Sequence, residues 1–364
     1  MKVKEICEYG IKSKVKAGEG LTEGKYKFFT SSAEANKFVN EYQFDKPGII
    51  MGTGGNATLH YCDTPFSVST DCVVLFPKDI LITKYLYYFF RGNFHILENG
   101  FKGAGLKHTS KKYINEIKIK KIPIQATQIQ IIGVLDNIED IITRKKQQLL
   151  EYDQLIKSRF VEMFGDIFTN EKSFKVGLFE DYVEQMNIGP FGSALKNEYF
   201  VSKEDSYCMV YEQKHAIRKD IDIDRRYVTF DKYKELQRFE IGPGDLIVSC
   251  RGTIGECHLL PKNAPMGIIH PSLMMIKPKK HVNGRFLLYL LEKILERQLD
   301  SGSGVKMAIQ AKELAKVKTI IPEKNIQDDY VFFVEQVDKL KFEVQKSLDE
   351  SQILFDSLMQ EYFG

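Results

Sequence analysis

From Gln125 to Phe164 the apolar side chains recur in alternating steps of four and three. They are Ile131, Leu135, Ile138, Ile142, Leu149, Tyr152, Ile156 and Met163, with Lys145 and Arg159 as the off-pattern positions. The stretch contains no proline and one internal glycine, Gly133. The same rhythm returns near the other end of the chain as Tyr330, Val334, Val337, Val344, Leu348, Phe355, Leu358 and Tyr362, interrupted at Lys341 and Ser351. A period of 3.5 residues held over several turns predicts a helix with a coiled-coil seam. Each helix spans about 40 residues, hence about 60 Å at ~1.5 Å per residue. Ile122-Pro123 and Ile321-Pro322 precede them, and the residue before a proline avoids the helical region. Phe164-Gly165 ends the first. A helix with so much apolar surface on one face is unstable alone. Pairing the two antiparallel buries both faces. The alternative is that each packs on its own neighbouring domain.

Outside the helices the pattern changes to short β-rich runs. Gly48-Ile49-Ile50-Met51, Cys72-Val73-Val74-Leu75-Phe76, Asp245-Leu246-Ile247-Val248-Ser249 and Leu273-Met274-Met275-Ile276 read as strands bounded by Gly/Pro/Asp turns. Helical runs are expected over 81–91 and 283–299. Several features recur about 200 residues apart and in the same order. Gly52-Thr53-Gly54-Gly55 returns as Gly252-Thr253-Ile254-Gly255, and Tyr85-Leu86 as Phe286-Leu287. Gly103-Ala104-Gly105-Leu106-Lys107 returns as Gly302-Ser303-Gly304-Val305-Lys306. Ile122-Pro123, Gln128 and Phe164-Gly165 return as Ile321-Pro322, Gln327 and Phe363-Gly364. The expected architecture is therefore α+β, two pseudo-repeated domains separated by two long helices forming an antiparallel coiled coil. The boundaries are 1–121 and 166–321 for the domains, 122–165 and 322–364 for the helices.

Charge adds a partner. The net charge of +3 is unevenly spread. Residues 1–121 hold 19 Lys and Arg against 12 Asp and Glu, and 166–321 hold 24 against 21. The helical stretches are neutral to acidic, 5 against 6 in 123–165 and 4 against 10 in 322–364. Basic character confined to the two globular segments suits a polyanion held at two places, though ordinary surface scatter produces similar numbers.

Three segments carry a more specific resemblance. Asn187-Ile188-Gly189-Pro190-Phe191-Gly192-Ser193-Ala194-Leu195-Lys196 is similar to the Gly-Pro-Phe-Gly-Ser segment near the start of many target-recognition domains of type I restriction–modification specificity subunits. Asp245–Ser249 followed by Arg251-Gly252-Thr253-Ile254-Gly255 resembles another recurring stretch of that family, as does the helix end Ser158-Arg159-Phe160-Val161-Glu162-Met163-Phe164-Gly165. The resemblance covers essentially the whole chain, with two departures. The second helix is more acidic than the first. The first domain is about 35 residues shorter than the second and lacks a Gly-Pro-Phe-Gly-Ser segment.

The resemblance implies that each target-recognition domain reads half of a split duplex DNA site. The paired helices would hold the halves apart and seat two modification subunits. Those partners would carry S-adenosylmethionine and methylate adenine, and restriction subunits would cleave DNA with ATP and Mg. It also implies a chain without a catalytic centre, consistent with several missing motifs. There is no Pro-Pro for an adenine-methyltransferase motif, and Met51-Gly52-Thr53-Gly54-Gly55 lacks the Walker continuation. Neither His60 and Cys62 nor Cys257, His258 and His270 stand at zinc-ligand spacing. No cofactor or metal is expected on this chain. Six cysteines without a CxxC pair, no apolar run of membrane length, and a start (Met1-Lys2-Val3-Lys4-Glu5) without a secretory stretch point to the cytoplasm, away from any membrane.

The DNA-contact candidates follow from charge beside glycine-rich turns, where the main chain can approach a phosphate closely. In the first domain they are Lys12, Lys14 and Lys16, alternating as on one side of an extended segment, with Lys102, Lys107, His108, Lys111 and Lys112. In the second they are Phe191, Ser193, Lys214, His215, Arg218, Arg225, Arg226, Arg251, Thr253 and Lys306. Each cation taken singly also fits a solvated surface charge, and Phe191 a core phenylalanine. The competing reading of the whole is a coiled-coil interaction scaffold with only incidental DNA binding.

Overall fold

The computed structural model describes residues 1–103, 105, 107–119, 122–300 and 309–364, without the side chains of 298–300. Gln125–Phe164 and Lys324–Phe363 are single helices of 40 residues each. The chain divides into two compact units, residues 1–149 with 343–364, and residues 150–342. Each unit thus takes one globular head and one half of each long helix.

Within each unit the two half-helices pair antiparallel. In the first, Tyr88 donates from its hydroxyl to Asp136 and Glu139 and also packs on Phe355, while Lys145 meets Ser347 and Ser351. In the second, Asp153 pairs with Lys341, and Phe164 packs on Tyr330. Along each unit, residue numbers rise on one helix as they fall on the other. Leu135, Ile138, Ile142, Leu348 and Phe355 are buried in the first unit's core, and Ile156, Val334 and Val337 in that of the second. Ile131, Leu149 and Leu358 are partly buried and pack on the first core; Val344 is half-buried. The off-pattern Lys145 has a physical account. Its ammonium donates to Ser347 O at 2.9 Å, Ser347 Oγ at 2.6 Å and Ser351 Oγ at 2.8 Å, so all three donors are satisfied. A polar group matched across an apolar seam favours one register over its neighbours.

The seam pattern omits Phe160 and Met359, which are buried because the helices also pack on the heads. Phe164, fully buried, packs against Phe286 of helix Gly284–Asp300 with ring centroids 5.0 Å apart and the planes tilted by 56°. Phe363 meets Tyr85 of helix Thr83–Gly92 at 5.2 Å. The repeated phenylalanines therefore do the same work on repeated helices.

Gln128 and Gln327 show the duplication in its finest detail. Both are buried, five residues after the proline of their Ile-Pro. Gln128 Oε1 accepts from the Ile82 N–H at 2.8 Å, and its Nε2 donates to Ile80 O and Pro123 O. Gln327 Oε1 accepts from the Asn283 N–H at 3.1 Å, and its Nε2 donates to Pro322 O at 2.9 Å. Each side chain serves orphan backbone groups where the head's helix begins and where the long helix begins. Leucine at either position is expected to destabilise its unit by about 1–3 kcal/mol, because those backbone groups stay buried without partners. Urea unfolding of the two variants measures it.

Among the described residues, two sheets of matching topology recur in the heads, and the second head adds a two-stranded ladder between Val176–Leu178 and Lys318–Ile320. In the first, strands Cys7–Tyr9, Cys72–Pro77, Gly48–Gly52 and Leu59–Cys62 lie in that order, all antiparallel. In the second, Val183–Ile188, Leu273–Pro278, Leu246–Ser249 and Cys257–Leu259 repeat it. The other sheet pairs Tyr26–Phe29 parallel with Phe66–Val68 and antiparallel with Lys37–Val39. Its counterpart pairs Cys208–Tyr211 parallel with Gly267–Ile269 and antiparallel with Arg226–Val228. Much of the second head's extra length lies in helices Gln213–Arg218 and Phe230–Leu236 and strand Glu240–Ile241.

The register corrects one repeat. Gly52 stands opposite Cys72, and Ser249 opposite Leu273. One residue on, Thr53 N–H donates to Asp71 O and Cys250 N–H to Ser272 O. Gly52 therefore matches Ser249, and Gly55 matches Gly252, three residues away from the pairing suggested by the Gly-Thr letters. Gly55, Gly252 and Gly255 all take positive φ, +82°, +70° and +92°, a region favouring glycine, so the ladder and not the φ values sets the pairing. No helix among the described residues is long and apolar enough to cross a membrane.

Candidate nucleic-acid interface

In the second head, the register brings three loops to one end of a sheet. Ser249 lies opposite Leu273, and Met274 opposite Ile188, so the segments 189–195, 250–256 and 270–272 cluster there. Gly189 is dictated by the packing. Its N–H donates to Leu273 O at 2.8 Å, and a Cβ would sit 2.3 Å from His270 O. Pro190 is buried, while Phe191 is 83% exposed and Gly192 and Ser193 are exposed. The alternative of a core phenylalanine does not hold for Phe191. Arg251, Gly252 and Thr253 are exposed on the neighbouring loop, and the Arg251 guanidinium has no partner among the described residues. Three strands of one sheet thus end in a rim carrying an aromatic ring, the hydroxyls of Ser193 and Thr253 and a guanidinium.

The polar stretch 214–226 is arranged otherwise. His215 is fully buried; its Nδ1 accepts from the Glu212 N–H at 2.8 Å, and its Nε2 lies 3.0 Å from Ile223 O. Burial pushes its pKa down. Its assignment as a DNA contact is therefore corrected to a structural one. Lys214 donates to Asp224 O and pairs with Glu212 at 3.1 Å. Arg225 donates to Ile221 O at 3.0 Å and pairs with Asp222. Arg226 forks onto the Glu212 carboxylate and lies 3.9 Å from the Phe200 ring. Burial works to raise the Glu212 carboxyl, but Arg226 and Lys214 hold it below the usual range. The acids interleaved in this stretch account for the internal pairing. Arg218 is exposed, and Lys306 with its glycine segment lies outside the described residues.

In the first head the corresponding sheet end gathers the lysines. Lys12, Lys14 and Lys16 are exposed and alternate with buried Ser13 and half-buried Val15. Val15 O accepts from Thr70 N–H at 2.8 Å, beside the Asp71 carbonyl that Thr53 engages through both N–H and Oγ1. Segment 102–109 pairs with the glycine loop: Gly55 N–H donates to Lys107 O at 2.9 Å and Thr109 N–H to Thr53 O at 3.0 Å. Lys102 and His108 bridge each other, and both are exposed, as are Lys107, Lys111 and Lys112. Lys111 lies over the Tyr9 ring at 4.5 Å. Ala104 and Leu106 lie outside the described residues.

Among the described residues no group of three or more His, Cys, Asp or Glu is placed to hold a metal. All six cysteines are buried, and burial pushes the Cys7 and Cys250 thiols up to about 12, so both stay protonated at neutral pH.

The chain matches the sequence family described as type I restriction modification DNA specificity domain over residues 1–152 and 202–351. Over 146 residues, 40% of this chain, it is 29% identical to the type I restriction enzyme EcoDI specificity subunit of Escherichia coli; the match spans only 32% of that relative's length. Its fold resembles the crystal structure of a type I restriction-modification S subunit from M. genitalium, with TM-score 0.63 and 14% identity, covering 100% of this chain and 95% of that one. A chain from a structural study of type I R-M complex assembly and conformational transition is similar at TM-score 0.56 and 14% identity, covering 100% of this chain and 96% of its own. With two matched segments that fall on the two duplicated heads, the chain belongs to the type I restriction modification DNA specificity family, a family of non-catalytic specificity subunits.

Proposed function

We propose that this chain reads a bipartite duplex DNA target. Residues 1–121 and 166–321 would each recognise one half-site, and 122–165 with 322–364 would form the spacer. The observation that carries this reading is the duplicated sheet end. The same end of the same sheet carries exposed cations in both heads: Arg251 on the loop after Leu246–Ser249 in the second, and Lys102 and Lys107 on the segment that pairs with the glycine loop after Gly48–Gly52 in the first. The residues proposed to touch DNA are Lys12, Lys14, Lys16, Lys102, Lys107, His108, Lys111, Phe191, Ser193, Arg218, Arg251 and Thr253. Exposed apolar side chains on the long helices, among them Leu150, Phe332, Phe342 and Ile353, suit the docking of modification subunits that bring S-adenosylmethionine. Restriction subunits using ATP and Mg would complete a cytoplasmic assembly.

Gel shifts on duplex DNA across a salt series test the reading. A pure protein scaffold predicts no retardation above background. A DNA reader predicts affinity that falls steeply with salt. Lys14→Ala is expected to weaken all sequences alike and to reduce the salt slope by about one. Arg251→Ala is expected to cost about 1–3 kcal/mol and to relax discrimination at one position only.

A further inference from the structure

The exposed loop that carries Arg251 closes on itself through Gly255 N–H to Ser249 O, and it is tied from outside by a side-chain amide on a helix that the first head lacks. Gln213 opens helix Gln213–Arg218, between strands Cys208–Tyr211 and Arg226–Val228. The matching connection in the first head, 30–36, contains no helix. Gln213 Nε2, with two N–H donors to share, lies within hydrogen-bond distance of three acceptors, Ser249 Oγ at 3.0 Å, Thr253 O at 3.1 Å and Arg251 O. Ser249 Oγ in turn donates to Thr253 O. The two carbonyls flank Gly252, whose φ of +70° turns the chain and aims both oxygens at the same donor. Without that donor, Thr253 O keeps the Ser249 hydroxyl while Arg251 O, on an exposed residue, turns to water, so the loop loses its tie to the helix.

The anchor is rigid on its own side. Glu212, just before Gln213, is clamped by Arg226 and Lys214, and buried His215 closes the first helical turn onto the Glu212 N–H. This is the work of the polar stretch whose charges looked available for DNA. The first head solves the same problem with backbone: Gly55, the residue matching Gly252, donates to Lys107 O, and Thr53 accepts from Thr109.

We infer that Gln213 is a specificity-positioning residue of the second head, fixing the Arg251–Thr253 loop so that its side chains meet one half-site in a single geometry. The inference rests on the proposed DNA-reading function. A guanidinium discriminates between bases only while its fork is held in register with a base edge, whereas it attracts phosphate in any orientation.

The test uses the full-length chain with its modification subunit and a randomised duplex DNA library, sequenced after selection. Gln213→Met keeps the side-chain length and removes the donors. It is expected to lower base discrimination about ten- to a hundredfold at the position lost in Arg251→Ala, leaving the other half-site and the thermal midpoint unchanged. The double variant is expected to fall within about twofold of Arg251→Ala alone, because both changes remove one reading geometry. Wild-type discrimination in Gln213→Met overturns the inference. So does weakening of both half-sites alike with a lowered midpoint, the signature of a structural role. A wild-type protein selecting no half-site overturns the proposed function itself.

Discussion

Phe164→Ala is expected to destabilise the unit formed by residues 150–342 by about 3–5 kcal/mol, the range for removing a phenylalanine ring from a close-packed core. The ring has no exposed surface and touches Phe160 at 4.8 Å, Phe286 at 5.0 Å and Tyr330 at 5.5 Å between centroids. Those partners belong to three elements, namely the first long helix itself, the head's helix and the start of the second long helix. No single rotation refills the space, so a cavity remains. The midpoint of urea unfolding reads the loss. A change within about 0.5 kcal/mol, typical of an exposed position, would show that the helix end is not docked on this head. Phe363→Ala repeats the experiment in the other unit, against Tyr85 and Phe89.

Gly189→Ala is expected to act on stability and recognition together. The added Cβ would lie 2.3 Å from His270 O, 2.8 Å from its carbonyl carbon and 3.0 Å from Pro271 Cα. All three are backbone atoms, so no flexible side chain can make room. Either strand end Ile188 or the 270–272 turn must move, at about 1–3 kcal/mol for overpacking. Both movements displace the Phe191–Ser193 rim, so affinity for the cognate duplex should fall with the unfolding midpoint. Gly192→Ala is the control. Its Cβ would meet nothing within 4 Å, and its effect on stability should stay within about 0.5 kcal/mol. Equal effects of the two substitutions on the midpoint would contradict the close approach of the loop to His270.

The long helices were legible because their signal is periodic and one-dimensional. Steps of four and three from Ile131 to Met163 specify a face, and Gln125–Phe164 is helical throughout. The width of that face was less legible. Phe160 and Met359 lie off the seam and are buried because each half-helix also covers a head, a tertiary contact that spacing alone does not encode. The repeat was legible from the order of its landmarks, and Gln128 with Gln327 proved to be matched buried anchors. The Gly-Thr alignment slipped by three because loop letters carry no register; only the ladder through Cys72 and Leu273 does.

At the candidate site, exposure was readable where cations lacked acidic neighbours, as at Lys12, Lys14 and Lys16. It was misleading at Lys214, Arg225 and Arg226, which pair with the Glu212 and Asp222 carboxylates, and at His215, which is buried on the Glu212 backbone N–H. A glutamine preceding that stretch gave no charge signal at all, although the geometry makes Gln213 the hub of the Arg251 loop.

The central claim, two duplicated heads each reading half of one target, is tested most directly by methylome sequencing of a host carrying this chain with a modification subunit. The account predicts a new methylated motif made of two short specific blocks separated by a fixed run of unspecified bases, with Arg251→Ala relaxing one block only. A continuous motif, or one that Arg251→Ala degrades evenly across both blocks, would contradict it.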